Sequence, residues 1–207
     1  VFALGRVLFR GFALALGLPE DNFDSMAQCP PAKLRLIHYP HDAQAVDAPG
    51  MGAHTDYECF TLLLSDEAGL EVMNDEGIWI DAPPRSVDGE PAFVVNIGDM
   101  LEVMTAGAFQ ATAHRVRKVS AERYSFPLFY ACDYHTLIQP LPAFAAQAGE
   151  AAGEYGQISI GEHMWSQALQ TYQYLKRKVQ AGELKMPDRA SATSRFGHLK
   201  KASTRAA

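Results

Sequence analysis

Cysteine is scarce and unpatterned in this chain. There are 3 cysteines in 207 residues, Cys29, Cys59 and Cys132, an odd number with no Cys-x-x-Cys pair. That excludes a disulfide scaffold and fits a reduced, cytoplasmic setting. Cys59 and Cys132 fall in apolar runs and are expected to pack as small hydrophobes. Long apolar runs are missing too. The first residues, Val1 to Leu18, are apolar, but Arg6 and Arg10 interrupt them, so the stretch reads as neither signal peptide nor membrane span. Positive charge is in deficit: 18 Lys and Arg face 24 Asp and Glu, a net charge of −6. This argues against nucleic acid as a partner. Half of the 18 basic residues lie from Lys176 onward, the signature of a solvated basic tail. No internal repeat or low-complexity tract is present.

What remains is an ordinary globular composition, 48% hydrophobic and 20% charged, with enough apolar surface for one sizeable core. Val1 to Leu16 has apolar residues at 1, 4, 8, 12 and 16, one face of a core-packing helix, and Gly17 and Pro19 end it. Asp21 to Gln28 is expected as a short second helix, broken by Pro30-Pro31. Short strands follow at Leu34–Tyr39, Cys59–Ser65 and Leu70–Met73. Asn74-Asp75-Glu76-Gly77 turns Leu70–Met73 back onto Ile78–Asp81 as a hairpin. Pro83 to Pro91 reads as a loop and Ala92 to Ile97 as a buried strand. Gly98-Asp99-Met100 opens a short helical turn, and strands at His114 and at Phe126–Tyr130 come next. Thr136 to Gln139 is a last short strand. Pro140 to Gly156 reads as a loop, and Ile160 to Lys178 as a helix that Gly182 and Pro187 end. The expected organisation is a helical segment over 1–29, a β core over 30–140, a loop and helix over 141–180, and a flexible tail over 181–207. Many short strands between turns indicate a sandwich or barrel.

The chemistry concentrates in Ala53-His54-Thr55-Asp56-Tyr57. In an extended segment side chains alternate, so His54 and Asp56 can project the same way and offer two positions on a transition metal. His114, in Ala111-Thr112-Ala113-His114-Arg115-Val116, is the candidate third ligand. Two histidines and a carboxylate on one face of a metal make the facial triad of non-heme Fe(II) oxygenases. Zinc, with a zinc hydrolase, is an alternative occupant of the same donors. Arg123-Tyr124-Ser125 opens the aromatic strand. A guanidinium grips a carboxylate as a fork, and a hydroxyl on the same face adds a hydrogen bond.

These motifs, in this order, resemble the Fe(II)- and 2-oxoglutarate-dependent dioxygenases, in particular the isopenicillin N synthase-like branch. Leu34-Arg35-Leu36-Ile37-His38-Tyr39-Pro40 and Phe93-Val94-Val95-Asn96-Ile97-Gly98-Asp99 support the resemblance, which covers residues 30 to 180. It implies a mainly β fold, a double-stranded β-helix (jelly roll) with flanking α-helices. It implies Fe(II) held by His54, Asp56 and His114, with 2-oxoglutarate and O2 as cosubstrates. The distal carboxylate of 2-oxoglutarate would meet Arg123, Ser125 and Tyr39, although the family's Asn-x-Tyr reads His38-Tyr39 preceded by Ile37 here. Tyr57, Phe60, Phe93 and Phe129 are candidates for a wall around a small-molecule substrate. The resemblance also implies a further N-terminal region ahead of Val1. Two alternatives stand beside the dioxygenase. One is a 2-oxoglutarate-independent iron oxidase, which also carries an Arg-x-Ser pair. The other is a non-catalytic small-molecule-binding module on the same fold.

Overall fold

A computed structural model describes residues 1–41, 43, 50–119, 121–149 and 158–187. The chain opens with α1 (Phe2–Ala15) and a single 3-10 turn, Asp24–Met26. Strands β1 (Lys33–Leu34), β2 (Ile37–Tyr39), β3 (Met51–His54), β4 (Phe60–Ser65), β5 (Leu70–Met73) and β6 (Trp79–Asp81) follow. Next come β7 (Arg85–Val87), β8 (Glu90–Ala92), β9 (Val94–Ile97), α2 (Asp99–Met104), β10 (His114–Val116) and β11 (Arg123–Tyr130). The described chain closes with β12 (Leu137–Ile138), α3 (Pro142–Ala148), β13 (Ile158–Ser159), α4 (Ile160–Thr171) and α5 (Gln173–Gln180).

The contacts divide into two compact units. Of the described residues, one unit gathers Val1–Pro31, Met100–Phe109 and those from Ala131 to Pro187; the other holds those within Ala32–Asp99 and Gln110–Tyr130. The second unit contains the β core, two antiparallel sheets. One runs β1-β11-β4-β9 with β2 also on β11, and the other runs β3-β10-β5-β6. This is the mainly β, jelly-roll arrangement. Alternation along β11 and β4 assigns the faces. Phe60, Leu62, Leu128 and Tyr130 are buried on one face, where Phe60 stacks on Tyr130 at 5.1 Å. Thr61, Arg123 and Ser125 point to the other face and are equally buried.

Several local expectations change. The strand expected over Leu34–Tyr39 is interrupted between β1 and β2. Its neighbour β11 carries Pro127, which accepts a bond from the Arg35 N–H at 3.0 Å. Proline has no N–H to return one, so the ladder lapses at that point. Pro83–Pro91 is not plain loop but the hairpin β7–β8. Asp88 and Gly89 take positive φ, 52° and 83°, at the turn, as a primed turn demands. The strand over Ala92–Ile97 shortens to β9 at a sheet edge, and Val95 stands 40% exposed. The expected turn at Asn74–Gly77 forms as read: Asn74 Oδ1 accepts from Glu76 N and Ile78 N.

In the other unit α1 buries Gly5, Phe9 and Ala13, a face rotated from the expected one; Val1 and Leu4 are exposed. Phe9 stacks on Phe23 at 5.1 Å. The helix expected over Asp21–Gln28 contracts to the 3-10 turn. Part of the Pro140–Gly156 loop is α3, with proline pre-setting its first turn. The helix expected over Ile160–Lys178 breaks at Tyr172, whose ψ of 123° is extended. Ser159 caps α4: its Oγ accepts from Glu162 N–H at 3.2 Å and donates to Glu162 Oε2 at 2.8 Å. The expected tail beyond 187, and loop positions 42, 44–49, 120 and 150–157, lie outside the described residues.

Candidate metal centre and anion pocket

His54 is the last residue of β3, and Asp56 follows outside the strand. His114 starts β10 and pairs directly across from His54. The antiparallel register therefore delivers two imidazoles side by side, with ring centroids 4.3 Å apart. Asp56 Oδ1 lies 3.8 Å from His54 Nε2 and 3.7 Å from His114 Nε2. One donor atom from each residue falls within 4.8 Å of the others, a group that could hold a metal ion.

The surroundings orient these donors. His54 Nδ1 donates to Gly52 O at 2.8 Å, and His114 Nδ1 donates to Thr112 O at 3.1 Å. These bonds select the tautomer that leaves each Nε2 lone pair for a metal. Asp56 Oδ2 is occupied twice, by Thr61 Oγ1 at 2.6 Å and by Asn96 Nδ2 at 3.1 Å. Oδ1 is thereby left toward the histidines. Burial, then the neighbouring His114, lowers the pKa of His54 below its ordinary value, which favours the neutral imidazole that a metal would need. Gly98 locks the backbone of this segment. Its N–H binds Cys59 O, Asp99 N binds Asp56 O at 2.8 Å, and a Cβ on Gly98 would lie 2.2 Å from Glu58 O.

Glu58 sits beside this centre, 1% exposed, with neither carboxylate oxygen hydrogen-bonded among the described residues. Burial, then the Asp56 charge, pushes it up to about 8. Thr61, Asn96 and Glu58 were not singled out in the sequence. The available signal for Thr61 and Asn96 was a lone polar residue inside an otherwise apolar strand.

A second cluster lies where β11 meets β2. Arg123 is fully buried and stands opposite Tyr39 in the ladder. Its guanidinium lies over the Tyr39 ring, 4.9 Å from the centroid. Arg123 Nε donates to Glu67 O at 3.0 Å, while Nη1 and Nη2 meet the geometric criteria for no hydrogen bond among the described residues. Ser125, 3% exposed, shares its face two residues on. Burial lowers the pKa of Arg123 and raises that of Tyr39; the guanidinium remains charged at neutral pH. An uncompensated buried charge costs several kcal/mol. A carboxylate placed against Nη1 and Nη2 offsets that cost and receives a fork of hydrogen bonds.

The aromatic candidates separate. Phe60 is wholly buried on the face of β4 away from Thr61. Phe93 precedes β9 on the face opposite Asn96 and is 36% exposed. Neither points with the metal-binding group. Tyr57 and Phe129 do flank it: Phe129 pairs with Thr61 across β11 and β4.

A jelly roll that brings His54, Asp56 and His114 to one point, with a buried arginine on the sheet face that carries Thr61, has the layout of a non-heme metal oxygenase scaffold. Residues 30–131 match the sequence profile of the 2OG-Fe(II) oxygenase superfamily, to which the chain belongs through that segment. A 2-oxoglutarate-Fe(II) type oxidoreductase of Metarhizium majus is 41% identical over 160 residues, 72% of this chain and 42% of that protein. A homoarginine-6-hydroxylase of Oryza sativa subsp. japonica is 38% identical over 178 residues, 82% of this chain and 52% of that one. The crystal structure of a full-length Neurospora crassa protein in complex with alpha-KG and thymine superposes with a TM-score of 0.71. It is 29% identical, and the match covers 83% of this chain and 54% of that one. The chain spans about half the length of the relatives it matches. No described helix is long and apolar enough to cross a membrane.

Proposed function

We propose that this chain is an Fe(II)- and 2-oxoglutarate-dependent oxygenase that hydroxylates a small organic substrate, releasing succinate and CO2. The observation that carries this is the pairing of a three-donor group with a buried arginine whose terminal nitrogens have no hydrogen-bond partner among the described residues. His54 Nε2, Asp56 Oδ1 and His114 Nε2 would hold the iron, and these donors suit Fe(II). Arg123, Ser125 and Tyr39 would bind the distal carboxylate of 2-oxoglutarate. With both bound, the iron and cosubstrate supply the oxidation by O2.

The residues of the chain do the rest. Thr61 and Asn96 hold Asp56 in one orientation. The carbonyls of Gly52 and Thr112 fix the imidazole tautomers. The buried Arg123 pocket excludes water, which strengthens its grip on an anion. Tyr57 and Phe129 would line the substrate side. Related proteins are named for hydroxylation, and this is the reaction class assigned here.

The test is anaerobic titration of the Fe(II)-loaded chain with 2-oxoglutarate, following the visible charge-transfer band of the chelate. The band is expected in the wild-type protein and absent in Asp56→Ala. Arg123→Lys should weaken 2-oxoglutarate binding about tenfold, because a point charge cannot replace the fork. Iron binding without a band would favour the 2-oxoglutarate-independent oxidase instead. No iron binding would favour the non-catalytic module.

A further inference from the structure

The substrate end of the site carries positive charge that the cosubstrate does not use. Lys33 pairs with Phe129, Phe129 with Thr61, and Thr61 with Asn96. These residues form one row across β1, β11, β4 and β9, on the face that holds Asp56. Strands in a sheet lie about 4.8 Å apart, so Lys33 stands roughly 10 Å along the row from Thr61. Lys33 Nζ is 5.4 Å from the centroid of Phe129 and 5.8 Å from that of Tyr57, and it donates to Tyr57 Oη at 3.4 Å. Arg35 Cζ lies 5.6 Å from the same Phe129 ring. Two cations thus flank one aromatic ring beside the metal-binding group. Like charges brought together repel; cation–π contact with the ring offsets part of this, and so does the buried Glu58 carboxyl, whose pKa burial raises while Lys33 and Arg35 act to lower it. Among the described residues Lys33 makes no ion pair.

We propose that Lys33, held between Tyr57 and Phe129, binds an anionic group of the substrate, so that this enzyme acts on a small carboxylate carrying a flat or apolar body. Lys33 gives the charge-assisted hydrogen bond, Arg35 adds to the attractive field, and the two rings cover the apolar part. A molecule anchored there extends along the row toward Asp56, which places a C–H bond several atoms from the anion beside the metal-binding group. This assignment rests on the iron and 2-oxoglutarate reading given above.

The test uses the full chain loaded anaerobically with Fe(II) and 2-oxoglutarate. Benzoate, phenylacetate and 3-phenylpropanoate are titrated, each beside its primary amide. Binding is read from perturbation of the chelate band and from saturation-transfer NMR. At least one acid should bind about tenfold tighter than its amide, the value of one charge-assisted hydrogen bond. Lys33→Met keeps the alkyl stem and should erase that preference, whereas Lys33→Arg should retain it. A normal band with no preference for acids, or a preference unchanged in Lys33→Met, overturns the assignment of Lys33 and leaves the iron site standing. Failure of the band itself in the wild-type protein overturns both.

Discussion

At the scale of single residues, the centre depends on how Asp56 divides its two oxygens. Oδ2 accepts from Thr61 and Asn96, so only Oδ1 is presented beside the imidazoles. Without those donors the carboxylate can rotate or chelate differently. Thr61→Val or Asn96→Leu should therefore lower divalent-metal affinity about 10- to 100-fold, the usual effect of losing an outer partner. Titration with Mn(II) followed by electron paramagnetic resonance would measure it. A change below about twofold in both variants would show that Asp56 needs no such support. The candidate ligands and the candidate anion-binding arginine could be read in the sequence, because His, Asp and Arg in fixed order are chemically distinctive. Thr61 and Asn96 could not, because polar residues in apolar strands acquire meaning only once the register places them against Asp56.

At the scale of elements, the short link from β3 to β4 is shaped by the chain after β9. Gly98 closes on Glu58 O, and Asp99 N binds Asp56 O. Any side chain at 98 must displace that backbone. Gly98→Ala should cost about 2 kcal/mol or more, the scale of overpacking, and should weaken metal binding with it. Urea unfolding and metal titration together would check this, and an unchanged affinity would uncouple Gly98 from the site. Element type was largely legible: β4, the β5–β6 hairpin, β11 and the helix α4 follow from periodicity and turn residues. The failures have local causes. Pro127 interrupts its neighbour rather than its own strand, so the split between β1 and β2 is a cross-strand effect. The β7–β8 turn was visible as Asp88-Gly89, a hairpin dipeptide hidden within a stretch rich in loop residues. Tyr172 turns extended in the middle of a pattern that periodicity alone continues.

At the scale of the whole molecule, stability should depend on pH through a residue far in sequence from the candidate metal centre. His163, on α4, is 3% exposed. Burial lowers its pKa from 6.5 to about 4. The unfolded chain therefore takes up this proton first as pH falls. The contribution of His163 is intact above about pH 6.5 and is lost progressively toward about pH 4, to a total of roughly 3 kcal/mol. His163→Leu should flatten that part of the profile. Urea midpoints at about pH 7 and about pH 5 for both proteins would show it, and parallel profiles would refute it. The division into two units also belongs to this scale. The segment Met100–Phe109 groups with Val1–Pro31 although β strands surround it in sequence, and no local composition marks that exchange.

The sequence by itself determined the donor types, their order, the prevalence of short strands and the family. These depend on side-chain chemistry and on local periodicity, which are written along the chain. Tertiary structure decided which donors meet and which atoms they present. His54 and His114 become neighbours through a cross-strand register, Asp56 is oriented by residues from two other strands, and Arg123 is buried with Nη1 and Nη2 lacking a hydrogen-bond partner among the described residues. Lys33 reaches that face only because β1 lies on β11. Each of these is a pairing between segments distant in sequence, and such pairings are set by the packing of the whole sheet rather than by any residue's immediate neighbours.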